Sequence, residues 1–246
     1  MQYVGREPRF YASVAYNGST WYLLNEPNDA NKDKQIFYYR GGGNGYTNTM
    51  FWLRTGIGVM KFVHPDDTNR DEKEEYIRKK AEPAIRYAEI LLIYAEALNE
   101  LTGNYNIASW DEETQYTIQR NIDEMKKGIQ PIRIRAGIPD YTRSEYEDQD
   151  LFREKLKRER QIELMGEGHR YYDIRRWKDA EVEESLPIYG CNTLMTEKWR
   201  DVFHVPVAIP SLPTNFSRKM YFWPISHSEL KRNKMLTQNP GWTYND

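Results

Sequence analysis

Residues 158–177 read RERQIELMGEGHRYYDIRRW, and the interpretation of the whole chain depends on this stretch. Nine of its twenty residues carry a formal charge, and three more are Tyr or Trp. Such a density of charge suits an active site, a nucleic-acid-binding patch, or an ionic network that holds a fold together. The helical geometry of the region separates these three interpretations.

Residues 151–167 predict a helix whose apolar stripe includes two carboxylates. On a helical wheel, Glu159 and Glu163 fall within about 60° of the apolar positions Phe152 and Leu156. A surface helix would place its acids on the opposite face. Because an unpaired buried carboxylate is costly, each of these acids must find a cation or several N–H donors.

Nearby arginines are the expected partners. The stretch uses Arg much more than Lys, and the guanidinium group makes fixed, bidentate contacts with carboxylates. Gly166 and Gly168 bracket Glu167, so the helix is expected to break there and the chain to turn back. The sequence therefore predicts a structural ion-pair network. Its expected members are Arg158, Glu159, Arg160, Glu163, Glu167, Arg170, Asp173, Arg175 and Arg176.

The two other interpretations of this stretch fit less well. Glu159 and Glu163 could act as acid and base, but no nucleophile, metal-ligand set or phosphate-binding loop accompanies them. In a nucleic-acid patch, the acids of the stretch would largely cancel its arginines. The whole chain has 35 Lys and Arg against 37 Asp and Glu, which gives no basic surplus. We expect neither an enzyme nor a nucleic-acid partner.

Other residue types exclude further classes. Cys191 is the only cysteine, which excludes an internal disulfide and a Cys-based zinc site. The four histidines show no metal-ligand spacing, so we expect no metal and no cofactor. No apolar run in the sequence approaches the length of a membrane span.

Apolar periodicity predicts a helical core over residues 70–180. One stripe of a first helix runs from Ile85 to Ala95, and Gly103 is its expected stop. A second helix carries Ile118 to Ile129 and is expected to end from Gly128 onward. Small residues allow this pair to approach closely, as in one tetratricopeptide-like hairpin. Further helices are predicted over about 146–165 and 170–178.

The flanking segments, 1–65 and 181–246, lack long periodic runs. The first reads as loop and short strand, with Asn17-Gly18 as a hairpin signal. The second reads as loops and one short C-terminal helix that begins at the capping box Ser226-x-x-Glu229. No linker separates them, so 1–246 is predicted to be a single domain. The predicted fold is all-α, with tetratricopeptide-like helical hairpins, a large loop-rich face and a few short strands.

Aromatic residues make up 14% of the chain, and many lie in the early loops. Flat rings accompanied by amide groups suit the apolar faces and hydroxyl rims of sugars. The candidate ligand-binding residues are Trp21, Tyr22, Tyr38, Tyr39, Tyr46, Trp52, Asn44 and Asn48. The alternative for each ring is packing of the loops onto the helices. The rings expected in the core are Trp177, Trp199 and Trp223.

The stretch at residues 158–177 resembles the ER-x-x-EL-x-GEG-x-R-x-x-D-x-RRW signature of the SusD/RagB family. Other stretches agree with the family in the same order along the chain. They are REPRFYASV (6–14, with Glu7 in place of the usual Asp), AIRYAEILLIYAEALNE (84–100), IQPIRIRAGIPDY (129–141) and YFWPISHSELKRNKMLTQNPGW (221–242). The resemblance therefore covers nearly the whole chain.

The resemblance implies a fold and a function. Family members are non-enzymatic nutrient-capture lipoproteins on the outer membrane of Bacteroidetes-type bacteria, where they serve polysaccharide utilization. They bind oligosaccharides, or in some members peptides, over a SusC-like TonB-dependent transporter. The expected partners are thus an oligosaccharide and that transporter, and the expected location is the extracellular face of the cell outer membrane.

One departure from the family concerns length. Members are usually about twice as long and carry a lipid anchor that this chain lacks, so the chain resembles the C-terminal part of such a protein. Either a second polypeptide with the missing N-terminal half or self-association would then cover its helices. A protein- or peptide-docking helical scaffold is the alternative function, because tetratricopeptide-like helices form peptide grooves.

Overall fold

The computed structural model describes residues 3–20, 35–48, 50–64, 67–69, 75–76, 78–81, 83–196, 202–212 and 214–243. Helices dominate these residues, and short strands pair two by two. The chain divides into two compact units. The first comprises Met1–Tyr38, Gly42–Asn44 and Ile57–His169, and the second comprises Tyr39–Gly41, Gly45–Gly56 and Arg170–Asp246. The single domain expected over 1–246 stays a prediction.

The first unit has one apolar core, which buries residues from four of its five described helices. These five helices are α1 (Pro8–Ser13), α2 (Tyr87–Asn99), α3 (Ile122–Arg135), α4 (Arg143–Glu147) and α5 (Gln149–Glu163). Leu92 of α2, Ile129 of α3 and Phe152 of α5 are fully buried in that core. A side chain fixes the start of α5: Asp148 accepts a hydrogen bond from the Leu151 N–H and thereby caps the helix.

A glycine brings α2 and α3 into close contact. A Cβ added at Gly128 would lie 2.5 Å from the Leu91 carbonyl oxygen and 2.9 Å from the Ala95 Cβ. The sequence predicted the close approach but placed the end of the second helix at Gly128, which was wrong. The helix continues through Gly128 and Pro131 to Arg135, and Gly128 lies where the crossing leaves no room for a side chain.

A β-hairpin precedes α3 and includes Ile118, which was predicted to lie in the second helix. Its strands, the fifth and sixth among the described residues, are β5 (Tyr105–Ala108) and β6 (Gln115–Ile118). They pair antiparallel, with Tyr105 opposite Ile118 and Ile107 opposite Tyr116. The turn contains Glu112 with φ of 62°. Side chains alternate at a period of two in both strands, and this signal was present in the sequence.

The early strands of the first unit pair over longer distances than predicted. Strand β1 (Val14–Tyr16) pairs antiparallel with β2 (Ile57–Val59), so the hairpin predicted across Asn17-Gly18 is wrong. The Asn17 side chain instead accepts a hydrogen bond from the Tyr38 N–H at 2.8 Å. Another short antiparallel pair consists of β3 (Thr68–Asn69) and β4 (Glu75–Tyr76).

The second unit has short elements around a smaller core. Its helices are α6 (His169–Arg176, within this unit from Arg170), α7 (Ala180–Glu183), a 3-10 turn at Arg218–Tyr221 and α8 (His227–Arg232). Strand β7 (Tyr189–Gly190) pairs with β8 (Val207–Ala208). Ile174, Ala180 and Phe216 form the core. The predicted C-terminal helix is confirmed, with Ser226 as its cap.

Candidate functional site

Glu159 and Glu163 lie one turn apart on α5 and are 1% and 4% exposed. They share the buried side of the helix with Phe152 and Leu156, as the helical wheel indicated. Two carboxylates are therefore inside the first unit, where each must be neutralised by a partner.

Two arginines and a tyrosine bind Glu159. Arg9 donates from Nη1 to Oε1 at 2.7 Å, and Arg133 donates from Nη1 to Oε2 at 2.7 Å. The Tyr141 hydroxyl also donates to Oε2, at 3.2 Å. Burial raises the pKa of the Tyr141 phenol, and the nearby charge of Glu159 raises it further. Tyr141 therefore remains a neutral donor, and the Arg133 guanidinium lies 3.8 Å from the centre of its ring.

Glu163 accepts hydrogen bonds from arginines of three different segments. Arg9 Nη1 donates to Oε2 at 3.0 Å, while Arg86 Nη1 and Arg135 Nη2 donate to Oε1 at 3.0 and 2.5 Å. Burial alone would raise the pKa of Glu163, but the hydrogen bonds from these arginines outweigh it. The pKa of this carboxyl is therefore lower than its ordinary value.

Glu167 extends the network beyond the end of α5. Arg86 donates to both of its carboxylate oxygens, from Nε at 2.6 Å and from Nη2 at 2.9 Å. Lys61 also binds Glu167, and its Nζ donates to the Glu163 carbonyl oxygen at 2.8 Å. Gly166 has φ of 79°, a conformation that permits the turn after the helix and that other residues rarely adopt.

The charges of Glu163 and Glu167 link the fold to pH. Burial opposes ionisation of Glu167, yet Arg86 and Lys61 lower its pKa as well. A carboxyl whose pKa is lower in the folded chain than in the unfolded chain stabilises the fold above the unfolded value. This contribution is present at neutral pH. It is lost as the pH falls below the ordinary value of 4.5 and through the lowered folded-state values.

The arginines expected to neutralise Glu159 and Glu163 are not the ones that do so. Arg158 is exposed, and the Nε of Arg160 lies 3.9 Å from Glu96. Arg158 and Arg160 each lie one position from Glu159, and residues one position apart on a helix point in different directions. The partners come from distant segments that the fold brings to α5.

The remaining predicted members form ion pairs within the second unit, two of them with glutamates outside the predicted set. Arg170 binds Glu183 at 2.9 Å, Arg175 binds Glu184 at 3.0 Å and Arg176 binds Asp173 at 2.8 Å. These pairs are closed by local chain segments. They are ionic contacts, as expected, but they form a set of their own in a different unit.

The first-unit network, which we define as Glu159, Glu163, Glu167, Arg9, Arg86, Arg133, Arg135, Lys61 and Tyr141, is suited to structure rather than acid–base chemistry. Both carboxylate oxygens of Glu159 and of Glu163 accept hydrogen bonds. A general acid needs a raised pKa and access to substrate. Glu163 has a lowered pKa and is buried. The geometry therefore favours a role in holding the helices together.

A cleft of about 650 Å³ opens beside this network in the first unit. Lys61, Arg86 and Glu167 border it, with Phe62 and Lys80. Asp67 binds Lys80, whose hydrogen bond lowers the pKa of that carboxyl to about 2. These cations already pair with carboxylates, so the charges at the cleft are balanced. Phe62 contributes an aromatic ring to its lining. Its volume is in the range of small-ligand sites.

Two of the candidate ligand-binding rings, Tyr38 and Tyr39, are buried. Trp21 and Tyr22 lie outside the described residues. Tyr38 is 9% exposed in the first unit, and Tyr39 is 6% exposed in the second, where its ring meets Phe203 edge-on. This burial agrees with the alternative stated for each ring, packing of the loops, and the role of Tyr38 and Tyr39 as ligand platforms stays a prediction.

The rings of Tyr46 and Trp52 remain accessible in the second unit. Both are half-buried, and they meet edge-on with ring centres 5.6 Å apart. The Arg40 guanidinium lies 5.2 Å from the centre of the Tyr46 ring. Asn48 accepts hydrogen bonds from the backbone N–H groups of Met50 and Phe51, so it shapes the loop that holds Trp52. The side chain of Asn44, in the first unit, is exposed.

An exposed tryptophan was missed by the sequence interpretation. Trp223 was expected in the core but is 75% exposed, and its ring lies 6.4 Å from that of Tyr171. The Asn239 side chain donates to the Trp223 carbonyl oxygen and holds the backbone. Trp177 is half-buried, as the core interpretation allows, and Trp199 lies outside the described residues.

In the described part of the chain, no group of three His, Cys, Asp or Glu side chains is arranged to hold a metal ion. Across the same residues, helices are too short or too polar to cross a membrane.

The comparisons with known proteins identify the family. The model of the SusD family matches residues 1–242, and the chain belongs to this family. The expectation drawn from residues 158–177 is thereby confirmed.

Individual relatives agree with this assignment. The chain is 31% identical over 162 residues to SusD-like protein P2 of Formosa agariphila, a match that covers 64% of this chain and 25% of the relative. The solved structure of selenomethionine BT4246 has a TM-score of 0.79 at 25% identity, covering 97% of this chain and 38% of that one. A second BT4246 structure has a TM-score of 0.72 at 24% identity and shows the same fold. The chain thus spans well under half of these proteins.

Proposed function

We propose that this chain is part of a non-catalytic nutrient-binding protein that captures oligosaccharides at the extracellular face of the outer membrane. It delivers them to a SusC-like TonB-dependent transporter. Membership of the SusD family over residues 1–242 carries the proposal. A lipid anchor would hold the whole protein to the membrane, as expected for members of the SusD family.

The accessible rings of the second unit support a sugar ligand. Tyr46 and Trp52 meet edge-on and are only half-buried, so part of each ring can stack on the C–H face of a sugar. The Arg40 guanidinium beside Tyr46 supplies hydrogen-bond donors for hydroxyl groups. An apolar platform with a few polar groups is the usual chemistry of such sites.

The first-unit network supports a binding role without catalysis. Its two buried glutamates have all four carboxylate oxygens occupied, so neither is available to a glycosidic bond. The contact at Gly128 between α2 and α3 also supports the inference that these helices form a tetratricopeptide-like hairpin. Such a hairpin would serve as the scaffold under the loops.

A binding experiment on the purified chain tests the sugar proposal. A glycan array identifies an oligosaccharide, and titration calorimetry then compares the parent with Trp52→Ala. We expect the dissociation constant to rise about ten-fold, or about 1.4 kcal/mol, because one stacked ring is lost. Trp110→Ala is the matched control, since Trp110 is 96% exposed on another loop and should leave binding unchanged.

The outcomes separate sugar binding from other functions. Loss of folding together with binding in Trp52→Ala would assign that ring to packing, and equal effects of Trp52→Ala and Trp110→Ala would remove the proposed platform. Binding of peptides but no glycans would favour a peptide-docking scaffold. The exposed apolar residues of α2 are the observation that favours this second function.

A further inference from the structure

The sequence contains the dipeptide Asn-Gly twice, at Asn17-Gly18 and at Asn44-Gly45. This dipeptide is especially reactive toward deamidation, since glycine has no Cβ to block its backbone nitrogen and permits the backbone conformations that ring closure needs. The two copies have the same chemistry but different hydrogen bonds. The fold therefore decides which copy can react.

The copy at Asn17-Gly18 is held at both reacting groups. The side-chain oxygen of Asn17 accepts a hydrogen bond from the Tyr38 N–H at 2.8 Å. The N–H of Gly18, whose nitrogen would attack the side chain, donates to the Ile36 carbonyl oxygen at 2.7 Å. Both hydrogen bonds oppose the movement that ring closure requires, so this copy is protected.

The copy at Asn44-Gly45 lacks both restraints. Among the described residues, neither the Asn44 side chain nor the Gly45 N–H has a hydrogen-bond partner. The Asn44 backbone N–H donates to the Phe37 carbonyl oxygen at 3.1 Å, and this bond leaves the reacting groups free. Gly45 is buried, but its nitrogen attacks the adjacent residue, and water needs to reach only the exposed Asn44 side chain.

We propose that Asn44 deamidates spontaneously in the folded chain and that the two hydrogen bonds at Asn17-Gly18 protect Asn17. The Gly45 nitrogen gives its proton to a base in the solvent and forms a bond to the Asn44 Cγ. The side-chain nitrogen takes up a proton and leaves as ammonia. Water then opens the cyclic imide at one of its two carbonyl groups, which gives aspartate or isoaspartate. The inference concerns hydrogen bonds within this chain and does not depend on the proposed function.

The reaction changes the chemistry at position 44. An amide donates and accepts hydrogen bonds, whereas a carboxylate only accepts them. The formal net charge of −2 becomes one unit more negative, and isoaspartate also lengthens the backbone. Because Asn44 is one of the candidate ligand-binding residues, a purified sample would contain forms that differ at a candidate site.

Peptide mapping by mass spectrometry tests the proposal by following both sites while the purified chain is incubated at mildly alkaline pH. We expect Asn44 to convert at least about ten times faster than Asn17, because two hydrogen bonds hold the reacting groups of the second site. In urea, which removes both hydrogen bonds, the two sites should convert at similar rates. Labelling by an isoaspartyl methyltransferase should locate the isoaspartate product at position 44.

Two variants at the same position serve as controls. Asn44→Gln keeps the amide but would have to close a larger ring, so the acidic form should no longer accumulate. Asn44→Asp marks the ion-exchange position of the aspartate product. A folded chain in which Asn44 converts no faster than Asn17 overturns the proposal. An equally large difference that persists in urea overturns it too, because the rates would then depend on neighbouring residues in the sequence rather than on the fold.

Discussion

The charged side chains in the two halves of residues 158–177 find their ion-pair partners at very different distances along the chain. In the first half, Glu159 and Glu163 are buried, and their partners Arg9 and Arg86 are 150 and 77 residues away along the chain. In the second half, Arg176 binds Asp173 three residues away, and these ionic contacts are closed locally.

This difference distinguishes ionic contacts that join distant segments of the fold from contacts between residues near each other in the sequence. Removing one partner of a buried pair leaves a desolvated charge without compensation, whereas an exposed pair competes with water and contributes little. Arg9, Arg86 and Arg133 tie three separate segments to α5. The first half of the stretch therefore ties distant segments together, whereas the second half pairs locally, even where its carboxylate Asp173 is buried.

The largest effect is expected for Glu163→Ala. This change removes the buried carboxylate that Arg9, Arg86 and Arg135 share, and only Arg9 and Arg86 keep a second one, in Glu159 and Glu167. We expect a loss of about 3–5 kcal/mol in the free energy of unfolding, measured by urea denaturation.

Glu183→Ala is the matched control for that variant. Its partner Arg170 is 34% exposed and Glu183 itself 49%, so the expected loss is below about 1 kcal/mol. Equal losses for the two variants would remove the distinction between the halves of the stretch.

A smaller effect is expected at the helix contact that delivers two of the arginines. Gly128→Ala places a methyl group 2.5 Å from the Leu91 carbonyl oxygen, which forces α3 away from α2. The cost of overpacking exceeds the gain in helix propensity, and a net loss of about 1–2 kcal/mol should appear in thermal or urea unfolding. Gly103→Ala meets no atom within 4 Å and should be neutral or slightly stabilising. A neutral Gly128→Ala would show that this contact is not tight.

Sequence reasoning found the buried acids but not their partners. The position of Glu159 and Glu163 on the apolar stripe follows from helical periodicity, which is a local property. Their pairing with Arg9 and Arg133 depends on how distant segments meet in the fold, and the sequence around the two glutamates does not indicate these partners. Proximity in sequence favoured Arg158 and Arg160, which point elsewhere on the same helix.

Local signals failed where longer contacts decided the outcome. Asn17-Gly18 favours a hairpin, yet β1 pairs with β2 about forty residues later in the chain. The β5–β6 hairpin could have been predicted from the alternation of Tyr105 with Ile107 and of Tyr116 with Ile118. The burial of Tyr39 and exposure of Trp223 could not, because ring content alone does not distinguish packing from recognition.

A double-mutant cycle between Arg9 and Glu159 tests the central claim most directly. The two side chains meet at 2.7 Å from segments 150 residues apart. Unfolding free energies of the parent, Arg9→Ala, Glu159→Ala and the double variant should give a coupling energy of about 1–3 kcal/mol. Additivity of the two changes within about 0.5 kcal/mol would contradict the claim that distant arginines and buried acids hold this fold together.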